Sequence, residues 1–277
     1  MRSSLNFTNK LNMISQMKNE STFQILEYDD LKGSYNVENA LGLNIMRENG
    51  AKLKQVRIIL DDSEVKLEPG IFSYMKGDIS VKNKMGGVLE LGKKFISKKL
   101  IGEEEAYEIT YSGNGDIFLE PSFNDFALVQ LEDDEIILDS RLFYACEAMI
   151  EIDMLEQENF SSMFLNDERV SEMRIKGEGI VALKIPVPET EIFKCVLVND
   201  TLKAKGNLAI LRTGNIEYSI ERLSKYENES EKNKEEKVHV YNGTGEVWLI
   251  PTKNAYNSLK LQSKTDDFSR RYIGREK

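Results

Sequence analysis

Short stretches in which apolar and polar residues alternate fill most of the chain. Residues 56–60, 65–67 and 79–81 are examples, and turn residues such as aspartate, proline and glycine separate them. Alternation with a period of two is typical of a β-strand that buries one face, whereas an amphipathic helix repeats every three to four residues. No long stretch combines helical spacing with capping signals. The pattern therefore predicts an all-β fold.

Three segments of the chain end alike, each with Gly-x-Gly, an apolar strand and then proline. They begin at Gly113, Gly177 and Gly243, so 64 and 66 positions separate them. A second signature, an apolar run after a turn, recurs in the middle of each segment at offsets of 71 and 66 positions. Two independent signatures with nearly the same period predict three tandem β-units in one chain.

The repeat sets the expected domain organisation. Residues 1–20 are polar, and we expect a flexible leader that is frayed or helical. The three β-units that follow are residues 21–121, 122–188 and 189–277. Two insertions interrupt them, a loop with one short amphipathic helix at 86–101 and a charged segment at 224–237. A single unit has too few strands to bury both faces, so we expect the units to pack on one another.

The overall charge argues against a nucleic-acid partner. The chain has 277 residues and a formal net charge of −10, whereas surfaces that neutralise phosphates need clustered Lys and Arg. It contains neither an apolar run long enough for a transmembrane helix nor the pattern of a signal peptide. The two cysteines, Cys146 and Cys195, form no Cys-x-x-Cys pair. We therefore expect a cytoplasmic protein.

No arrangement of residues in the sequence predicts catalysis. His239 is the only histidine, and its place in an alternating segment favours an ordinary strand residue over a general base or a metal ligand. The carboxylate clusters at 61–62, 103–105 and 132–135 are typical of solvated turns. Gly-x-Gly precedes strands here, whereas a phosphate loop precedes a helix. We therefore predict that the protein is not an enzyme and has no catalytic, cofactor-binding or metal-binding residues.

Several of these motifs resemble one protein family. The LEPGIF stretch at 67–72, the MGG motif at 85–87 and the closing Gly-x-Gly strands resemble the "altered inheritance of mitochondria" biogenesis family and its bacterial relatives. The resemblance implies a fold like the tryptophan RNA-binding attenuation protein, with short double-stranded β-helix or sandwich units repeated in one chain. It also implies a homo-oligomer, a trimer that forms a pseudo-ninefold ring. The family supplies no catalytic residues.

Residues 89–101 form the candidate site, because a lysine-rich segment stands out in an acidic chain. Its apolar and basic side chains include Leu91, Lys93, Lys94, Phe95, Lys98 and Lys99. Such a segment could lie on a membrane surface with its lysines toward anionic headgroups. The alternative is a helix that packs its apolar stripe on the β-units or on a neighbouring subunit, which is the more usual role of an amphipathic helix.

The leading hypothesis is a non-enzymatic oligomeric scaffold or interaction protein, peripheral to the membrane if residues 89–101 bind lipid. The alternative is a sensor that binds a small molecule or a peptide in the mouth of a β-barrel-like unit or at a subunit interface. RNA binding would need lysines and aromatic residues repeated along one edge, and the matching turns here are acidic. We therefore expect self-association, a protein or membrane partner, no cofactor and no nucleic acid.

Overall fold

The chain folds mostly into antiparallel β-strands, as the alternating pattern predicts. The computed structural model describes residues 11–34, 36–82, 107, 109–155, 171–205, 208–223 and 236–256. The chain divides into two compact units, an N-terminal unit of residues 1–188 and a C-terminal unit of residues 189–277. Each unit contains its own cluster of buried hydrophobic residues.

The N-terminal unit contains strands β1 to β9 and helix α1. In chain order these are β1 (Asn12–Lys18), β2 (Thr22–Glu27), α1 (Val37–Glu48), β3 (Lys54–Leu67), β4 (Phe72–Lys82), β5 (Thr110–Leu119), β6 (Asp125–Asp139), β7 (Phe143–Glu147), β8 (Glu151–Leu155) and β9 (Glu172–Ile185). Strand β3 pairs with β2 and β7 along one edge and with β5 along the other. Strand β5 also pairs with β4, and β9 pairs with β6, β7 and β8.

The C-terminal unit contains strands β10 to β13. Their bounds are β10 (Phe193–Lys205), β11 (Ala209–Thr213), β12 (Ile216–Leu223) and β13 (Glu236–Leu249). Strand β13 pairs with β10 on one side and with β11 and then β12 on the other, always antiparallel. The unit is therefore organised around β13, as the N-terminal unit is organised in part around β5 and β9.

Three long pairings have the same register. The ladders β3–β5, β6–β9 and β10–β13 are each interrupted by one bulge, and the bulged residue has positive φ: Asp62 (50°), Asp133 (59°) and Asn199 (50°). Asp and Asn tolerate this conformation better than most residues with a side chain. A buried leucine then faces the second glycine of each Gly-x-Gly. The pairs are Leu60–Gly115, Leu131–Gly179 and Leu197–Gly245.

A second irregularity recurs in the shorter pairings. Phe72 of β4, Phe143 of β7 and Ala209 of β11 each face a leucine at or near the end of the long partner strand, and one residue is then skipped before pairing resumes. Two irregularities at matching positions agree with the sequence repeat. The division into three tandem units and the predicted domain boundaries stay predictions.

The core of the N-terminal unit lies where side chains of β3 and β5 meet those of β7 and β9. Leu60, Leu67 and Ile117 pack there with Ala145 and Ala182, and all are buried. In the C-terminal unit, a smaller cluster joins residues of β10, β12 and β13. Its buried members are Leu197, Ala204, Ile216, Tyr241, Val247 and Leu249. We refer to this second group as the C-terminal cluster.

The structure differs from the sequence predictions at the start of the chain. Residues 12–18 form strand β1 and pair with β2, where a frayed or helical leader was expected. Helix α1 was not predicted, although Val37, Leu41 and Ile45 recur every four residues. Their side chains are exposed in the structure. The helix begins with a local signal instead, since the Asn36 side chain accepts a hydrogen bond from the Asn39 N–H at 2.7 Å.

Both predicted insertions fall largely outside the described residues. The short helix predicted at 86–101 lies in such a stretch, as do residues 224–235 of the charged segment. The last two residues of that segment, 236 and 237, belong to strand β13.

Candidate functional site

The most exposed apolar side chains described in the C-terminal unit lie along strand β10. Cys195 and Leu197 pack against the C-terminal cluster, so Val196 and Val198, which alternate with them, point to the opposite face. Phe193, at the start of the strand, lies on the same face as Cys195. Phe193, Val196 and Val198 are 60%, 64% and 75% exposed. These three residues define what we call the β10 edge.

Among the described strands, β10 pairs with β13 alone. The matching part of β3, residues 54–59, is covered by β2. An edge strand presents unpaired backbone groups, and proteins usually protect such edges with charges or prolines. At the position that matches Val198, the other two bulged strands carry Asp61 and Glu132. Val198 therefore stands where the other two ladders carry a carboxylate, although Lys194 and Lys203 are exposed charges on the same strand.

A second uncovered edge belongs to strand β4, which pairs with β5 alone among the described strands. Tyr74, Met75 and Lys76 define this β4 edge. The ring of Tyr74 is stacked on that of Phe118, with centroids 4.5 Å apart. The guanidinium of Arg57 lies 5.6 Å from the centroid of the Phe118 ring. Rigid aromatic side chains with an arginine beside them are enriched at protein interfaces.

A buried carboxylate holds the first hairpin on the sheet. Glu147 of β7 is 1% exposed. It accepts hydrogen bonds from the Ser21 N–H at 2.7 Å, the Asn19 side-chain amide at 2.8 Å and the Ile180 N–H at 2.9 Å. These donors come from the turn between β1 and β2 and from β9. Charge-assisted hydrogen bonds of this kind are stronger than neutral ones, so Glu147 joins three parts of the unit.

Sequence reasoning missed Glu147, because it placed this residue among apolar positions of an ordinary strand. The sequence did contain one indication of a tightly packed neighbour at this position, namely Gly179, the second glycine of the second Gly-x-Gly. A Cβ atom on Gly179 would lie 2.8 Å from a carboxylate oxygen of Glu147. The glycine therefore leaves the space that the carboxylate fills.

The residues considered for catalysis lie apart from both edges or are poorly suited to react. His239 Nδ1 lies 2.8 Å from the Tyr218 hydroxyl oxygen within a group of aromatic rings. Cys146 is buried. Burial raises the pKa of the Cys195 thiol, which disfavours the nucleophilic thiolate. Asp61 and Asp62 lie at the bulge of β3, as expected of a turn.

The structure does not describe the predicted candidate site. Leu91, Lys93, Lys94, Phe95, Lys98 and Lys99 all lie between residues 83 and 106, outside the described residues. In the part of the chain that is described, no group of three or more His, Cys, Asp or Glu side chains could hold a metal ion. Over the same residues, no helix has the length and apolar character needed to cross a membrane.

Comparisons with known proteins identify relatives in family and in fold. A family model described as "Mitochondrial biogenesis AIM24" matches residues 46–252. No curated protein matches the chain. The crystal structure of a protein from Streptococcus pyogenes is similar in fold, with a TM-score of 0.52 and 15% sequence identity over 87% of this chain and 99% of that chain.

Proposed function

The chain belongs to the mitochondrial biogenesis AIM24 family, and from that premise we propose that it is a non-enzymatic scaffold or interaction protein that self-associates. The observation that carries this proposal is the β10 edge. Phe193, Val196 and Val198 expose apolar surface on a strand whose outer backbone groups have no described strand partner. A second protein surface would cover both the apolar side chains and the unpaired backbone.

Exposed valines on an open edge are unfavourable for an isolated subunit. Each square ångström of apolar surface removed from water contributes roughly 25 cal/mol, and an added strand would also satisfy the outer row of N–H and C=O groups. A partner strand with apolar side chains is the surface that fits best.

The three ladders with matching bulges support a scaffold built from repeated β-units. We propose that β3–β5, β6–β9 and β10–β13 are the centres of three β-units that arose from one pattern. The shared bulges at Asp62, Asp133 and Asn199 support this proposal. We further propose a trimer that forms an attenuator-like ring, as the family resemblance implies. The proposed location is the cytoplasm, as the sequence predicts.

We also propose that residues 89–101 bind the surface of a membrane. The test is flotation of the protein with liposomes that contain anionic lipid. Replacing Lys93, Lys94, Lys98 and Lys99 with glutamate should abolish flotation, because the headgroups would then repel the segment. Equal flotation of the two proteins, or no flotation of either, would remove the membrane from the proposed function.

The test of self-association is native mass spectrometry of the purified full chain. We expect a trimer for the wild type and a monomer for Val196→Lys/Val198→Lys, since two charges on the edge oppose pairing. Val37→Lys/Leu41→Lys on helix α1 is the matched control, because it also replaces two exposed apolar residues, and it should remain trimeric. A monomeric wild type would refute the scaffold, and a stoichiometric bound compound would favour the sensor hypothesis.

A further inference from the structure

We propose that the β4 edge of one copy pairs with the second half of β10 in another copy, in the register by which β7 pairs with β3 within the chain. The inference rests on the proposed self-association and adds a second contact on the same strand, because residues 202–204 follow the β10 edge along β10. Its basis is the repeated register of the ladders. One such pairing between ladders, β7 with β3, lies inside the N-terminal unit. The β4 edge and residues 202–204 of β10 could form a further pairing of this kind, and among the described strands each pairs on one side only.

The visible joint is the short antiparallel pairing of β7 with the end of β3. The facing residues are Val65–Glu147, Lys66–Cys146 and Leu67–Ala145. Two backbone hydrogen bonds flank them, from the Glu68 N–H to the Tyr144 carbonyl at 2.8 Å and from the Ala148 N–H to the Glu64 carbonyl at 3.0 Å. Because hydrogen-bonded and non-hydrogen-bonded pairs alternate, Leu67–Ala145 is a non-hydrogen-bonded pair with close side chains.

The β4 edge has the same position relative to β5 that this part of β7 has relative to β9. Met75 faces Ile117 of β5, and Cys146 faces Val181 of β9. In both pairings one residue is skipped just before, between Phe72 and Tyr74 in β4 and between Phe143 and Ala145 in β7. Tyr74, Met75 and Lys76 therefore correspond to the three residues of β7 that pair with β3.

The second half of β10 corresponds in the same way to the end of β3. Residues 65–67 begin three positions after the bulged Asp62, and residues 202–204 begin three positions after the bulged Asn199. The middle residue of each triplet is a lysine, Lys66 or Lys203. Among the described strands, β13 alone pairs with residues 202–204.

Side-chain sizes suit the proposed pairing. In the visible joint the large Leu67 faces the small Ala145. In the proposed joint the small Ala204 would face the large Tyr74 of the other copy, so the combined volume is similar. Tyr74 is 50% exposed, whereas Ala145 is fully buried in its joint. Tyr74 thus has the exposure expected of a residue whose partner strand belongs to another molecule.

The two surfaces beside the joint also match. Ala145 of β7 and Ala182 of β9 pack against the core built on β3 and β5. The residues that correspond to them are the stacked pair Tyr74 and Phe118. In the proposed joint this pair would lie over the C-terminal cluster, where Leu202 and Cys195 are only partly buried. Apolar residues on each copy would then cover apolar residues on the other.

The lysines give the joint a polar contact. Lys66 is buried, and its ammonium donates a hydrogen bond to the Ile150 carbonyl at 2.9 Å across the visible joint. Lys203 is exposed and pairs with Glu221 at 2.6 Å. In the proposed joint Lys203 would reach the Ile79 carbonyl of the other copy, the position that matches Ile150. Since β4 and β10 are different edges, the contact is head-to-tail and generates a closed ring or a filament.

Disulfide trapping tests the register in a Cys195→Ser background. Tyr74→Cys/Ala204→Cys places one cysteine on each edge at facing, non-hydrogen-bonded positions, where Cβ atoms are close enough to be bridged. Tyr74→Cys/Lys203→Cys is the control, because a shift of one residue moves the side chain to the other face. After mild oxidation we expect about ten times more covalent dimers and trimers from the first variant.

Native mass spectrometry of the wild type separates failure of this inference from failure of the scaffold. A wild-type oligomer that gives no cross-link at 74/204 would overturn the inference and leave the proposed self-association intact. Lys76→Cys/Leu202→Cys is a second facing pair, which preserves the test if loss of the Tyr74 ring impairs folding. A wild-type monomer would overturn both proposals.

Discussion

Leu60 of β3 lies directly opposite Gly115 of β5, and Gly77 of β4 pairs with the same glycine. A Cβ atom on Gly115 would lie 2.2 Å from the Lys76 carbonyl oxygen of β4, which is too close for any side chain. The φ angle of Gly115 is also strongly positive, at 152°. The glycine therefore has two effects, since it permits an unusual backbone conformation and allows β4 to approach β5 closely.

The first glycine of the motif offers a direct test that separates these two purposes. Gly113 and Gly177 have similar φ angles, 134° and 128°. A Cβ on Gly113 would lie 2.2 Å from the Asp78 carbonyl oxygen, whereas the nearest atom to a Cβ on Gly177 would be 3.5 Å away. We expect Gly177→Ala to lower the free energy of unfolding by about 1–3 kcal/mol through backbone strain. Gly113→Ala should lower the free energy of unfolding by ~1–3 kcal/mol more than Gly177→Ala does, because the backbone of β4 must also move.

Urea-induced unfolding of the two variants measures the difference. Gly33→Ala is the control, since a Cβ there meets nothing within 4 Å and φ is unremarkable. Equal losses for Gly113→Ala and Gly177→Ala would show that the close approach of β4 to β5 does not limit this position.

The same glycines show how far the sequence predicts the fold. The sequence predicted a strand after each Gly-x-Gly, and the structure instead places the motif inside the longer strands β5, β9 and β13. The first glycine of each motif, Gly113, Gly177 or Gly243, has positive φ. The signal is readable because glycine is required by backbone geometry, which is local. The pairing partner of each strand depends on contacts between distant segments, and alternation alone does not determine it.

Replacing the buried carboxylate tests its role in holding the first hairpin. Glutamine at position 147 offers one acceptor oxygen where three N–H donors converge, and its own NH₂ group would face another donor. We therefore expect Glu147→Gln to lower the free energy of unfolding by about 2–4 kcal/mol. Glu151→Gln, at an exposed position of β8, should change it by less than about 0.5 kcal/mol.

Amide hydrogen exchange locates the effect. In the Glu147→Gln variant, the N–H groups of Ser21 and Ile180 should lose protection before those of β13, since only the former bond to the carboxylate. Stability equal to that of the Glu151→Gln control would mean that the hairpin is held by other contacts.

Helix α1 illustrates what sequence patterns miss. Its apolar residues Val37, Leu41 and Ile45 have helical spacing, but the helix is short and none of its residues is buried. Its start depends on the single contact between Asn36 and the Asn39 N–H. Glu147 was missed for a related reason, because the partners that make a buried carboxylate stable lie 33 to 128 positions away in the chain.

The cap of α1 can be tested without disturbing the core. Asn36→Ala removes the acceptor at the first turn, and helix caps of this kind contribute about 1 kcal/mol. Because the helix buries no residue, we expect faster amide exchange within 37–48 and an unchanged unfolding midpoint for the whole chain. Asn36→Asp retains an acceptor and should preserve protection. A large fall in the midpoint for Asn36→Ala would show that α1 contributes to global stability.

Acid sensitivity of the C-terminal unit should arise partly at Glu191. Its carboxylate accepts hydrogen bonds from the hydroxyls of Thr252 at 2.6 Å and Tyr256 at 2.8 Å. These bonds lower the pKa of Glu191 below its usual value of 4.5. Because the folded pKa is below the unfolded one, the stabilising contribution is fully present above the unfolded pKa and is lost as pH falls through the folded pKa.

An NMR titration of the Glu191 side-chain carboxyl measures this pKa. Thr252→Val removes the donor with the largest effect and should raise the pKa toward its usual value, and Tyr256→Phe should raise it less. Ser219→Ala, at an exposed position of β12 in the same unit, should leave the titration unchanged. If Thr252→Val has no effect on the pKa, the hydroxyl does not hold Glu191 in solution, and the link between residues 189–191 and 251–256 must depend on other contacts.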